Sequence, residues 1–193
     1  MKDSTGNNGS QGKVSLLEKF FTDQLKDIYY AEQHLVNALP AMKNAATTEE
    51  LEDAFENHLK QTERHVKRLE KAFQYIGQKP QAKKCEAIDG LIKEAKSIIA
   101  ETEEGTLTRD AALIIAAQKV EHYEIATYGG LVQLAITLDL HRVAELLDRT
   151  LREEEDTDHL LTNIAERSIN LRAEEEGPFS WQRKGQMEET ANM

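Results

Sequence analysis

Four long segments of this chain place apolar residues three and four positions apart, the spacing that puts them on one face of an α-helix. The segments span residues 14–44, 49–77, 108–138 and 142–171. Only 3 prolines and 10 glycines interrupt the 193 residues, and helix-forming residue types dominate the composition. We therefore predict an all-α protein.

The ends of the chain lack this pattern. Residues 1–13 are rich in Gly, Ser and Asn, and helical periodicity is lost in residues 173–193, where Gly177 precedes Pro178. Such segments are typical of flexible tails. We predict one domain at residues 14–172, with flexible tails on both sides.

The connections between the segments predict a topology. The first two helices are joined tightly near Ala46 and the last two near Asp139, whereas residues 78–107 form a long connection with a short helix at 86–103. A connection of that length can run from one end of a bundle to the other. We therefore predict a ferritin-like four-helix bundle with a long crossover connection that carries an additional short helix.

Charge and hydropathy exclude several classes of partner. The chain has 35 acidic and 24 basic residues, a net charge of −11, which argues against a nucleic-acid partner. It contains no run of about 18 apolar residues and no secretory signal at its N-terminus. We expect a cytoplasmic protein with no membrane partner, and we expect the single Cys85 to be incidental.

Polar residues interrupt the apolar stripe of every long helix. Glu32, Glu124 and Glu154 lie close to the stripe centres, within about 30° at about 100° per residue. A lone carboxylate costs several kcal/mol to bury unless it is paired or binds a metal. These three acids are therefore the strongest indication of function.

Counting residues from the tight turns shows which polar residues share a level along the helices. Glu32, His58 and Gln61 fall at one level of the first helix pair, and four acids fall at one level of the second pair. A carboxylate-rich site with a histidine suits iron or manganese, and several negative charges favour two cations over one. The predicted ligands of this dinuclear site are Glu32, His58, Glu121, Glu124, Glu154 and Asp158.

Other residues near these positions receive weaker interpretations. His65 lies two turns beyond His58, and we expect it at the surface or outside the ligand shell. His122 and His159 point away from the stripes and are expected to be exposed. Tyrosines at 29, 123 and 128 could bond to ligand carboxylates or could serve only in packing.

Three strings carry a family resemblance: DIYYAEQHL at 27–35, AAQKVEHYEIATYGGL at 116–131 and TLREEEDTDHLLTNIAE at 150–166. They resemble the YciF-like proteins, a stress-associated bacterial branch of the ferritin-like superfamily. The resemblance implies a ferritin-like bundle, a homodimer and a dinuclear metal site. The usual Glu-x-x-His motif is absent from the second and fourth helices, and Gln61, a neutral ligand, would weaken one half of the site.

Two functions remain open at this point. The first is a stress-response protein whose iron or manganese ions act on peroxide, dioxygen or ferrous ion, with enzymatic activity undecided. The second is a structural or protective protein without metal, in which the acids share protons or pair with Lys119 or Arg149. Apolar residues of the crossover helix, at 88, 91, 92, 98 and 99, support the expected homodimer.

Overall fold

The computed structural model of the protein describes residues 14–177, and every regular element in that range is helical. This confirms the all-α prediction. None of these helices is long and apolar enough to cross a bilayer. The predicted tail at 1–13 and most of the one at 173–193 lie outside the described residues. The elements are α1 (Leu16–Ala45), α2 (Glu49–Tyr75), α3 (Glu86–Glu101), α4 (Leu107–Thr137), α5 (His141–Ile164), a π-helical turn (Ala165–Ile169) and α6 (Asn170–Glu174).

The four long helices enclose the interior. Helix α1 packs against α2 and α4, and α5 packs against the same two helices, while α3 lies against α1 and α4. The core consists of two apolar clusters, one around Phe21, Phe73 and Leu131 and the other around Phe55 and Leu161. On α2 and α5 a band of buried polar residues separates these clusters, at positions 58–65 and 150–157. The band of buried polar residues therefore lies between the two apolar clusters.

The turn between α1 and α2 is held by a residue of α4. Both oxygens of the buried Asp110 carboxylate accept hydrogen bonds, from the backbone N–H of Thr47 (2.7 Å) and from the N–H and hydroxyl of Thr48 (2.9 and 2.8 Å). Thr48 is the N-cap of α2, but its side chain makes no capping bond within that helix. Asp110 therefore caps the start of α2 from another helix.

The crossover connection is packed closely on its own chain. Arg109 is buried and donates hydrogen bonds to the carbonyls of Ile99 (3.1 Å) and Thr102 at the C-terminal end of α3. Ile88 is fully buried, and the apolar residues of α3 at 91, 92, 98 and 99 pack against the two core clusters. The apolar face that suggested a homodimer is thus largely covered within the chain, and the homodimer stays a prediction.

The start of α4 is also capped from a distance. The Glu176 carboxylate accepts hydrogen bonds from the backbone N–H of Leu107 (2.6 Å) and of Thr108 (2.9 Å) and from the Thr108 hydroxyl (2.7 Å). Four N–H groups at a helix start lack partners within the helix, and an acidic group satisfies them well. Contacts to the domain therefore extend four residues beyond the predicted boundary at residue 172.

Replacing Asp110 with alanine tests whether this carboxylate holds the α1–α2 turn. We expect Asp110→Ala to lower the free energy of unfolding by about 2–3 kcal/mol, because three donors lose a carboxylate acceptor in a partly buried turn. Urea denaturation followed by circular dichroism measures the change. The exposed Asp156→Ala serves as the control, and equal stability of the two variants would contradict the assignment.

Candidate metal centre

Two groups of buried His and Glu side chains meet between the long helices. His58, Glu121, Glu124 and Glu154 form one group, and Glu32, His65 and Glu154 form the other, with their potential ligand atoms within 4.8 Å of one another in each group. Glu154 belongs to both groups. A carboxylate has two oxygens, so one shared Glu can bridge two cations that lie a few Å apart.

The polar atoms of these groups lack hydrogen-bond partners to an unusual degree. Eight side-chain oxygen and nitrogen atoms in residues 14–177 are buried without a hydrogen bond of acceptable geometry, although one of them, His65 Nδ1, lies within ion-pair distance of Glu154 and Glu32, and all of them belong to this cluster. Each such atom costs about 1–3 kcal/mol when nothing replaces its hydration. Such a cluster could hold a metal ion. The atoms are Glu32 Oε2, His58 Nε2, His65 Nδ1, Glu121 Oε2 and both carboxylate oxygens of Glu124 and of Glu154.

His65 is held from outside the cluster. Its Nε2 lies 2.9 Å from Glu153 Oε2, and Arg68 donates to the other oxygen of Glu153 at 2.6 Å. On the opposite edge of the ring, Nδ1 lies 2.8 Å from Glu154 and 3.4 Å from Glu32. With Nε2–H donated to Glu153, the Nδ1 lone pair can bind a cation once its proton has left.

His58 faces the other group. Its Nε2 lies 3.3 Å from Glu121 Oε1, and its Nδ1 lies 3.4 Å from the hydroxyl of Thr157. That hydroxyl already donates to the backbone carbonyl of Glu153 (2.9 Å), so its oxygen is left to accept a hydrogen bond from Nδ1–H. This arrangement favours the tautomer in which Nε2 carries a lone pair toward the carboxylates.

Burial and repulsion between the carboxylates strongly shift the pKa values of the side chains in the cluster. Burial raises the pKa of Glu121 and Glu124 well above the usual range, and nearby carboxylates raise it further. Burial lowers the pKa of His58 to about 4. His65 behaves in the opposite way: burial disfavours its charged form, but Glu32 and Glu154 outweigh burial and raise its pKa to about 10. Without metal, protons on these groups limit the buried charge.

The structure brings together five of the six predicted ligands and leaves one apart. Glu32, His58, Glu121, Glu124 and Glu154 all lie in the cluster, whereas Asp158 lies in neither group. Asp158 accepts a hydrogen bond from Gln118 (3.1 Å) and lies 3.3 Å from the exposed His122. Four residues along a helix add about 40° of rotation, which turns Asp158 away from the interior that Glu154 faces.

The expectation that His65 could lie at the surface is wrong, because this residue is fully buried beside Glu154 and Glu32. Residues seven apart on a helix differ by only about 20° in direction, so His65 lies on the same face as His58. The buried positions 58, 62, 65 and 69 trace the true inner face of α2. The seven-residue spacing from His58 is a signal for this face in the sequence, but the adjacent apolar residues Leu59 and Val66, which are only partly buried, obscure it.

Of the polar side chains near the cluster, some contact its residues and others bond to residues outside it. The Tyr128 hydroxyl donates to Glu32, while Tyr29 and Tyr123 bond to Glu70 and Asp27 outside the cluster. Gln61 lies 3.4 Å from the Thr157 hydroxyl and is in neither group. Lys119 pairs with Glu94, and Arg149 contacts Glu153. Within residues 14–177, no Lys or Arg side chain forms an ion pair with the acids of the cluster.

The raised pKa of His65 makes the metal-free protein sensitive to alkaline pH. Between its ordinary value of 6.5 and its folded value of about 10, the folded chain holds a proton that the unfolded chain has released. Stability therefore falls as pH rises through this window, and the raised pKa values of Glu121 and Glu124 act in the same direction.

We expect the midpoint of thermal unfolding of the chelator-treated protein to decrease from pH 6.5 to pH 9.5. His65→Gln should flatten this dependence, because glutamine does not titrate. Differential scanning calorimetry across this range measures both proteins, and an unfolding temperature that rises with pH in the wild type would contradict the assignment of the His65 proton.

Comparison with known proteins identifies the family that this chain resembles. Residues 16–174 match the family described as Domain of unknown function (DUF892). The chain is 43% identical to Protein YciF of Escherichia coli K12 over 162 residues, covering 83% of this chain and 97% of that protein.

Solved structures agree with this comparison. The crystal structure of the E. coli stress protein YciF has a TM-score of 0.77 and covers 81% of this chain and 98% of that one. A Rhodopseudomonas palustris protein, YcfI, described as a candidate structural protein, is 39% identical with a TM-score of 0.76, covering 80% of this chain and 98% of that one. A Xanthomonas campestris protein at 20% identity and a TM-score of 0.64, covering 82% and 97%, shares the fold.

The matched range extends over every helix described above, and it contains all of the residues that form the buried cluster. The expected resemblance to the YciF-like proteins is confirmed, and this chain belongs to the DUF892 family.

Proposed function

We propose that this protein is a stress-response protein that holds two iron or manganese ions in the middle of a ferritin-like four-helix bundle. The observation that carries the proposal is the set of eight buried, unpartnered polar atoms, all of them potential metal ligands. The stress-response part rests on the relative from E. coli, which is described as a stress protein.

Charge balance supports two ions rather than one. The cluster holds four carboxylates, those of Glu32, Glu121, Glu124 and Glu154, and two imidazoles. Four negative charges are neutralised by two divalent cations, whereas one cation would leave two buried charges uncompensated. Mixed carboxylate and imidazole donors suit iron and manganese, as in the di-metal carboxylate proteins built on helical bundles.

The two groups divide the ligands between the ions. His58, Glu121 and Glu124 would hold one ion, Glu32 and His65 would hold the other, and Glu154 would contact both. Ions of this kind supply redox chemistry in which each can give or accept an electron. The chain supplies the rest: Glu153 orients His65, the Tyr128 hydroxyl orients Glu32, and the apolar clusters on either side exclude water.

The division of ligands predicts the metal stoichiometry of single variants. We expect about two metal ions per chain in the wild type, loaded anaerobically with ferrous or manganous ion. Glu32→Gln and Glu121→Gln should each lose about one ion, because each belongs to a single group. Glu154→Gln should lose more than either, because Glu154 belongs to both. Elemental analysis after gel filtration measures the content.

Two matched variants control this experiment. Glu155→Gln changes the exposed neighbour of Glu154, and Asp158→Asn changes the predicted ligand that lies outside both groups. Both should retain the wild-type metal content. Absence of metal above background in the wild type would overturn the proposal and favour the structural function that the description of the R. palustris relative suggests.

A substitution of Glu124 distinguishes a metal site from a network of acids that stabilises the fold. Glu124 is fully buried, and neither of its oxygens has a hydrogen-bond partner. We expect Glu124→Leu to stabilise the metal-free protein by about 1–4 kcal/mol, since an apolar residue replaces an uncompensated polar one. Manganous ion should raise the unfolding temperature of the wild type much more than that of this variant.

Thermal unfolding with and without manganous ion measures both effects. Acids that stabilise the fold by sharing protons would give the opposite result, namely a metal-free Glu124→Leu protein less stable than the wild type. The conservative Glu124→Gln variant separates loss of charge from change of shape, because it keeps the side-chain volume while it removes the anionic ligand.

A further inference from the structure

A small cavity adjoins the cluster on one side. It lies among α1, α2, α3 and α4, has a volume of about 40 Å³, and includes His58 and Glu121 in its wall. Apart from these two residues and Lys96, every residue that lines it is hydrophobic. Ala41 and Lys96 of the same wall are exposed, so the residues that line the cavity range from the protein surface to His58 at the edge of the cluster.

The size of the cavity limits what it can hold. One water needs about 10–15 Å³ of such space, so a volume of 40 Å³ accommodates a molecule of about two or three heavy atoms. Alanines contributed by three helices create this space, among them Ala38 on α1, Ala95 on α3 and Ala117 on α4. Ala117 lies one turn before Glu121 on the same face of α4.

The chemistry of the wall selects among small molecules. Apart from His58, Glu121 and Lys96, the side chains of the wall offer no hydrogen-bond partners, and a hydroxyl buried among them costs about 1–3 kcal/mol. Hydrogen peroxide carries two hydroxyl groups, and a ferrous ion would have to lose its hydration shell. Dioxygen has neither cost. His58 and Glu121, which belong to the cluster and each carry an unpartnered atom, line this cavity, so a guest would meet the cluster at these two residues.

We propose that this cavity binds dioxygen and admits it to the His58–Glu121 edge of the centre. Admission of dioxygen to the centre rests on the proposed metal site, whereas binding of dioxygen in the cavity does not. Of the three substrates that the sequence left open, dioxygen is the one that this entrance fits.

Xenon, an apolar probe of similar size, tests the binding step. Crystals of the full-length chain under xenon pressure should show xenon in the cavity, both before and after manganous ion is loaded. Ala117→Val should abolish this peak by filling the cavity, whereas Ala126→Val, the same change at an exposed position of α4, should retain it. Ala38→Leu at the half-buried outer wall provides a second blocking variant with less disturbance of the core.

The admission step is tested with ferrous-loaded protein mixed with dioxygen or with hydrogen peroxide. Blocking should slow oxidation by dioxygen about tenfold while metal content and oxidation by peroxide stay near wild-type values. An empty cavity in the wild type would overturn the inference, as would equal slowing with both oxidants or an unchanged dioxygen rate in the blocked variants.

Metal content measured on the same samples distinguishes the two proposals. Normal metal content with no xenon would overturn only the dioxygen entrance. Xenon binding in a chain that holds no metal would overturn both the admission step and the metal site, while leaving the cavity as a binding site for apolar gases.

Discussion

Four carboxylates gathered in the interior are the constraint on which the rest of this structure depends. They approach one another between helices whose other inward residues are almost all apolar, and no lysine or arginine of residues 14–177 forms an ion pair with them. Repulsion and lost hydration would drive such a group apart unless cations or protons compensate it. The packing on either side must therefore supply the free energy that keeps the four helices together around the cluster.

The ends of the domain meet that requirement. Two apolar clusters lie on either side of the polar band, and contacts distant in sequence set the heights of the helices. Asp110 binds the α1–α2 turn, Arg109 binds the end of α3, and Glu176 caps α4. Because α4 carries Glu121 and Glu124, these contacts at its N-terminal end also determine the level at which the two acids meet His58.

The cluster illustrates a conflict between stability and binding. Its unpartnered oxygens and nitrogens are unfavourable when nothing is bound, and the raised pKa values of Glu121 and His65 indicate that protons limit the buried charge. A sequence under selection for stability alone would have apolar residues at these positions. The surrounding contacts are consistent with the proposed binding role, because Glu153 and Tyr128 hold His65 and Glu32 in place from outside the cluster.

The sequence by itself determined the helical class, the approximate helix bounds, the family and the three central glutamates, because periodicity and the cost of burying a charge are both local properties. Tertiary structure decided the rest. His65 and Asp158 each lie near the edge of an apolar stripe, where a shift of one residue, about 100° of rotation, changes an inward position into an outward one. Only the packing of α2 against α5 and of α5 against α4 turns His65 inward and Asp158 aside.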